Sequence, residues 1–356
     1  MNKILFILIF LILAQSGCRQ DTTTTPPEFA GYRNNLILSP GDSGSWDDLS
    51  VSVPQIIKYD NMFYLFYMGY GTSVRMAVGL AISNDGVSFM KFAGNPVLAP
   101  DDSGLDAFTS GPGRILIDDS VWVMYYNGQE LAGFSPGRSV GRATASVPTG
   151  PWKRNETPVL SSGSKGEWDA GFIIPCSMLK LNNSRYSMYF LGGTEITSWR
   201  DFYIGLATSE DGINWKKYND PSTTQHPFAE SDPVLKNGNT GDWDEAYLWI
   251  ADVTHSPEGF RMYYTGAGLE AYDNELAIGY AESKDGIHWK KYSRNPVYRA
   301  KDDPGLKRAG SGQTVENPSQ FLLDTITLLY YDYGSSINEK SRIGLATAPG
   351  LKTPQH

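Results

Sequence analysis

Residues Asn34–Asp48 read "NNLILSPGDSGSWDD", and four later stretches repeat their shape: "NPVLAPDDSGLDA" from Asn95, "TPVLSSGSKGEWDA" from Thr157, "DPVLKNGNTGDWDE" from Asp232 and "NPVYRAKDDPGL" from Asn295. Each later copy closes a module that has already run through several strand-like segments. The first copy has no module in front of it. The chain opens with the end of a repeat.

The modules supply the reason. A Gly-x-Ala element recurs at Gly79, Gly141, Gly205, Gly279 and Gly344, at intervals of 62, 64, 74 and 65 residues. Ahead of each lies an aromatic run: "FYLFYMG", "VWVMYYNG", "YSMYFLGG", "FRMYYTG" and "LLYYDYG". After three of them comes Ser-x-Asp-Gly, a strong hairpin signal because both turn residues readily take positive φ. Phe89, Trp215 and Trp289 follow these turns, placed to pack between sheets. Each module reads as four antiparallel strands, with A carrying a Pro among apolar residues, B the aromatic run, C the Gly-x-Ala and D the Pro-Val-Leu. No segment shows helical periodicity. The spacing predicts an all-β fold, a five-bladed β-propeller of four-stranded blades. The fifth module stops after strand C, so Leu36–Leu38 is expected to pair beside Gly344–Thr347 as its missing strand D, closing the ring.

Ahead of residue 32 the chain has another character. Lys3 precedes an apolar run, Ile4–Leu13, too short to cross a bilayer, which needs about 20 residues, so residues 1–18 are expected to be an export signal. Ser16-Gly17-Cys18 resembles the end of a bacterial lipobox, with Gln15 where that motif usually has Leu. The resemblance implies acylation of Cys18, a flexible tether over 19–31 and a propeller over 32–350. The alternative is simple secretion. An outer-membrane or cell-surface lipoprotein is thus expected, otherwise a periplasmic or secreted protein, touching membrane only through its anchor.

Only Cys18 and Cys176 are present, so no disulfide framework is available. A net charge of −9 leaves no basic stripe for nucleic-acid phosphates. The 21 Tyr and 9 Trp suit both sheet cores and sugar stacking. A monomer is expected.

The stretches "AISNDGVSFMKFAGNPVL", "ATASVPTGPWKRNETPVL" and "AESKDGIHWKKYSRNPVY" resemble the outer strands of the five-bladed glycoside hydrolases, families 43 and 32 among them, and "TGPWK" at Thr149–Lys153 looks especially like family 43. The resemblance covers Asn34–Gly350 and implies action on oligo- or polysaccharides. Related folds also serve mannoside phosphorylases and non-catalytic proteins, so a phosphorylase and a glycan-binding lipoprotein stay open beside a hydrolase. Family 43 enzymes use an Asp before the Pro of the first strand A, a second Asp in the third blade and a Glu in the fourth. The matching positions here are Val53, Ile174 and about Trp249. None is a carboxylate, and the family's catalytic set does not carry over.

Other carboxylates take their place as candidates, since glycosidic cleavage generally needs a proton donor and a second carboxyl. Glu316, in "TVENPSQF", and Asp252, in "WIADVTH", each sit in an apolar strand A, where a carboxyl needs a partner or a task. They are the expected catalytic pair; a structural bond to an Arg or backbone amide is the alternative. The D-to-A and B-to-C connections share one rim, which makes that rim the expected mouth. Glu195, Trp199, Glu245 and Glu270 lie there as candidate sugar-binding residues, and Arg114 on the second strand A could hold a hydroxyl, a phosphate or Asp252. Asp47, Asp106, Asp169 and Asp244 recur with the repeat and are expected to serve turns. No cofactor is required; a channel metal at His255 is the remaining option.

Overall fold

The computed structural model describes residues 25–349 apart from 73–74, 102–105, 107–108, 130–138, 183, 195–201, 270–274, 304–305, 307–312 and 336–339. Five antiparallel sheets form a ring, each a meander from an inner strand A to an outer strand D. Strands A are Ser50–Tyr59, Thr109–Asp118, Phe172–Asn182, Tyr247–Ser256 and Gln313–Leu323. Strands B are Met62–Tyr70, Val121–Gln129, Arg185–Gly193, Gly259–Ala267 and Ile326–Ser335. Strands C are Ala77–Ser83, Ser139–Ala145, Phe202–Ser209, Ala277–Ser283 and Arg342–Pro349.

The repeated residues now have physical tasks. The glycine of Gly-x-Ala lies under the aromatic ring of strand B: a Cβ on Gly79, Gly141 or Gly205 would come within 2.4 Å of Tyr67, Tyr126 or Phe190. Each Asp-Gly turn folds around its own side chains, Asp85 accepting from Val87 and Ser88 N–H at 2.8 and 2.7 Å. The preceding blade caps the turn: Tyr330, Tyr125 and Tyr189 hydroxyls donate to the carbonyls of Gly86, Gly212 and Gly286 at 2.6, 2.8 and 2.9 Å. Phe89, Trp215 and Trp289 stand edge-on to these same three tyrosines, so the aromatic pairs of the sequence are inter-blade contacts.

The recurring aspartates do more than shape turns. Asp47, Asp106, Asp169 and Asp244 are buried and bind Lys91, Arg154, Lys217 and Lys291 of their own strands D. Tyr67 and Tyr264 add hydroxyl bonds to Asp47 and Asp244 at 3.0 and 2.9 Å. Each clamp ties the outermost strand to the segment entering strand A.

Blade 5 is closed by the N-terminus, as the opening repeat implies, but in two pieces. Ala30–Gly31 pairs with Thr347 and Ala346, and Leu38 bridges Ile343. The stretch that pairs first therefore lies inside the expected tether 19–31. The same split occurs in blade 1, where Met90–Lys91 and then Leu98 meet strand C. Between the two pieces an asparagine binds the middle residue of Gly-x-Ala: Asn95 accepts from Leu80 N–H at 2.9 Å, Asn295 from Tyr280 at 2.9 Å and Asn35 from Leu345 at 2.8 Å. Asn35 also donates to Asp303, at 3.0 Å, and to the Tyr331 hydroxyl, at 2.7 Å.

Deletion through Leu38 removes this pairing together with the buried Leu38, and should lower the thermal midpoint by about 10 °C or more, since several kcal/mol are lost from a domain of this size. Deletion through Thr24 should leave it within about 2 °C. Calorimetry on the two truncations checks both.

Candidate active site

Each strand A slips in register against its strand B, between Ser52 and Gln55, Ser110 and Gly113, Pro175 and Ser177, Leu248 and Ala251, and Glu316 and Ser319, and the third slips again between Lys180 and Asn182. Such bulges bend a strand and re-aim its side chains. Superposing the blades on their Gly-x-Ala glycines brings Ser52, Gly111, Ile174, Trp249 and Glu316 to one position before the bulge. Gln55, Arg114, Ser177, Asp252 and Ser319 share one position after it. Blade 1 thus matches Glu316 with Ser52; Val53, set against the first Asp of family 43 by the resemblance, lies inside the bulge.

Four of the five post-bulge residues bond to the next blade, and Arg114 bonds back to the preceding one. Gln55 exchanges hydrogen bonds with Ile115 N–H and C=O, and Ser177 with those of Val253 at 3.1 Å each. Ser319 accepts from Ile56 N–H at 3.2 Å. Asp252 belongs to this set: its Oδ2 accepts from Gln320 N–H at 2.9 Å. Its half-buried carboxyl has a definite structural task, and burial pushes its pKa up to about 6 against the opposing Gln320 bond and the charge of Arg114.

Glu316 is different. It stands before the bulge in direct register with Asp332 of strand B, so two carboxyls face each other across one pair of strands. Glu316 is half-buried and Asp332 is 2% exposed. Burial pushes Glu316 up to about 7, with Thr314 acting weakly in the other direction. Burial, then the Glu316 carboxyl, push Asp332 well above the ordinary range. The charge of Glu316 adds to burial at Asp332, so the two carboxyls titrate as a coupled pair.

The surroundings over-determine Asp332. Val53 N–H donates to Oδ1 at 2.8 Å and Asn317 Nδ2 to Oδ2 at 2.6 Å. Asn317 N–H donates to the Thr265 hydroxyl at 2.8 Å. Val53 has φ +50° and Asn317 φ +53°. For a β-branched valine that backbone is strained by about 1–3 kcal/mol, and such strain persists where neighbours enforce it. A hydrogen bond to a buried carboxylate is of the same order and offsets it. Reading by strand patterns passes over Asp332, because "LLYYDYG" looks like one more aromatic strand. The available signal is positional: the other blades hold Met68, Asn127, Leu191 and Thr265 there.

The remaining candidates separate. Arg114 is buried and its Nη1 donates to Pro54 C=O at 3.3 Å. Glu245 braces its loop, accepting from Gly241 N–H at 2.6 Å and Leu269 N–H at 3.4 Å, as Asp48 does from Gly44 and Thr72. Cys176 is buried, which pushes its thiol up to about 11. Glu195, Trp199, Glu270 and Cys18 lie outside the described residues. Among the described residues no three His, Cys, Asp or Glu are grouped to hold a metal ion, and His255 is exposed and packs on Phe260.

No family model matches the chain. By sequence it is similar to two uncharacterized proteins of Mycobacterium tuberculosis, strains CDC 1551 and H37Rv, at 28% identity over 190 and 191 residues. The match takes in 51% of this chain and 59% of each relative. Among solved structures it resembles a glycosyl hydrolase from Bacteroides ovatus, at 19% identity over 92% of this chain and 97% of that one, TM-score 0.67. A structure from the GH130 family of mannoside phosphorylases, described as containing hydrolases that target beta-1,2 mannosidic linkages in Candida mannan, shares 18% identity over 94% and 98%, TM-score 0.69. A thermostable family-43 glycoside hydrolase shares 16% over 89% and 98%, TM-score 0.58. The chain has the fold of the five-bladed glycoside hydrolases. At these identities the likeness is one of fold.

Two outcomes follow for stability. Asp252→Asn keeps an acceptor for Gln320 N–H and should unfold within about 1 kcal/mol of wild type, whereas Asp252→Ala strands that amide and should cost about 1–3 kcal/mol in denaturant titrations. Glu316 has a folded pKa above its unfolded value of 4.5. The folded state therefore binds the extra proton, and the stabilisation is full below about pH 4.5 and lost as pH rises through about 7. Glu316→Gln should flatten the fall in stability between pH 5 and 8 by about 1–2 kcal/mol, the channel solvent screening part of the shift.

Proposed function

We propose that the protein cleaves glycosidic bonds in oligo- or polysaccharides, with Glu316 as the proton donor. The observation that carries this is the Glu316–Asp332 pair, in register across the two inner strands of blade 5. A carboxyl whose pKa is pushed up to about 7 can still hold its proton where protonation of a leaving glycosidic oxygen requires it. The likeness in fold to glycoside hydrolases supports the same class of substrate. Asp252, on the adjacent strand A, is the carboxyl proposed to take a proton from water in a hydrolase.

A second reading has its own support. The other blades hold Ser52, Gly111, Ile174 and Trp249 where blade 5 holds Glu316, so none supplies a facing carboxylate at that level. A reaction whose nucleophile arrives with a co-substrate, such as phosphate, needs only the donor. In either case the chain is proposed to be exported and anchored through Cys18.

The deciding assay is sugar release from arabinan, xylan, fructan, mannan and aryl glycosides, with and without phosphate. Glu316→Gln should lower the rate at least about 100-fold with folding intact. Dependence on phosphate identifies a phosphorylase. Release that survives Glu316→Gln removes the assignment of the donor, and glycan binding without release makes the protein a sugar-binding propeller.

A further inference from the structure

The interfaces between blades are built alike, so one can be set against another. Counted from the Gly-x-Ala glycine, Tyr189 and Leu206 of blade 3 match Tyr330 and Leu345 of blade 5, and Ser187, opposite Thr208, matches Leu328, opposite Thr347. The facing wall matches as well: Phe260 and Ile287 of blade 4 stand where blade 1 has Phe63 and Val87. Blade 5 fills the space between with Leu328, and blade 2 fills its own with Val123, both buried in their interfaces. Between blades 3 and 4 the side chain is a serine, and a cavity of about 210 Å³ lies beside it. Its apolar walls are Leu181, Tyr189, Leu206, Tyr218, Phe260 and Ile287.

Interiors seldom leave such space, because a missing aliphatic side chain costs stability. Here polar groups line it. Ser187 is 3% exposed, and its hydroxyl has no hydrogen-bond partner among the described residues, where a buried hydroxyl is normally bonded. Thr208, half-buried beside it, is in the same state. Arg185 and Asp285 stand at the mouth. Asp285 is fully engaged by its own turn: Oδ1 accepts from Ser283, Ile287 and His288, and Oδ2 meets the His288 ring. Arg185 is exposed and has neither a hydrogen bond nor an ion pair among the described residues. It opens strand B of blade 3 where blades 2 and 5 open theirs with Val121 and Ile326. Blade 3 therefore trades two apolar side chains for a hydroxyl at depth and a cation at the rim, on either side of one apolar slot.

We propose that this cavity is a binding site for a small organic acid, a carboxylate carried on a compact body no larger than one ring. The carboxylate pairs with the free guanidinium fork of Arg185, a geometry that suits a bidentate bond. The body lies between Leu206 and Phe260, and a polar atom on it reaches Ser187 or Thr208. The size follows from the volume, which is below the roughly 300–1,000 Å³ of clefts that take drug-sized ligands. The site opens on the rim of the Asp-Gly turns, away from Glu316 and Asp332, and does not rest on the glycosidic reading.

The test is calorimetric titration of the full chain with 4-hydroxybenzoate, hexanoate and galacturonate, each beside its neutral counterpart, 4-hydroxybenzyl alcohol, hexanol and galactose. At least one acid should saturate a single site, and its neutral counterpart should bind at least about tenfold more weakly, the loss of a charge-assisted pair. Arg185→Gln should weaken the acid by a similar factor and leave the neutral compound unchanged. Ser187→Leu, which gives this interface the residue of blade 5, should abolish binding while the melting temperature holds or rises. The acid that binds best distinguishes a sugar acid from an aromatic or an aliphatic one. The proposal is overturned if none of the three acids binds, if the neutral compound binds as tightly as its acid, or if binding survives Ser187→Leu. Should Ser187→Leu not fold, Arg185→Gln, on the exposed rim, still decides: an acid that binds it as tightly as wild type also overturns the proposal.

Discussion

The hydrogen bond that crosses from one blade to the next, just past the bulge of four of the five inner strands, is the constraint on which the ring depends. Strand A is an edge strand, and its inner edge faces the channel with unpaired N–H and C=O groups. A meander cannot satisfy them from within its own blade. A side chain from the preceding blade does so, whether the amide of Gln55, the hydroxyl of Ser177 or Ser319, or the carboxyl of Asp252. The bulge turns each of these side chains sideways toward its neighbour. The residue just before the bulge in blade 5 is Glu316, in register with Asp332.

Farther out, the load passes to the buried aspartates. Each neutralises a Lys or Arg of the outermost strand while lying against aromatic rings, as Trp46 stacks on Tyr67 and Trp168 on Phe190. Removing one partner of such a clamp strands a buried charge, so the short outer strands are held more firmly than their length suggests. Blade 5 makes its version of the clamp with Asp303 and Asn35, a pair 268 residues apart in the chain.

Architecture was legible because its signals repeat. Five glycines under five aromatic rings, three Asp-Gly turns and an orphaned first copy of the D strand lead to a closed five-bladed ring. Ala30–Gly31 was not legible: a dipeptide with no apolar side chain to alternate carries no strand pattern, and only its partner strand reveals it. The channel was harder still. Gln55, Ser177, Asp252 and Ser319 share an acceptor and not a residue type, so comparing repeats letter by letter cannot align them. Asp252 and Glu316 both stood out as acids in apolar strands, yet only register separates a residue before the bulge from one after it. Asp332 was hidden inside an aromatic run for the same reason.

The path of the N-terminal strand has a mechanical meaning. In every blade strand D sets out from the rim of the Asp-Gly turns, and Ala30, paired near the end of strand C at Thr347, enters blade 5 on that side. Strands B end and strands C begin at the opposite rim. The chain ahead of Ala30 therefore leaves the disc on the side of the Asp-Gly turns, away from the rim where strands B give way to strands C.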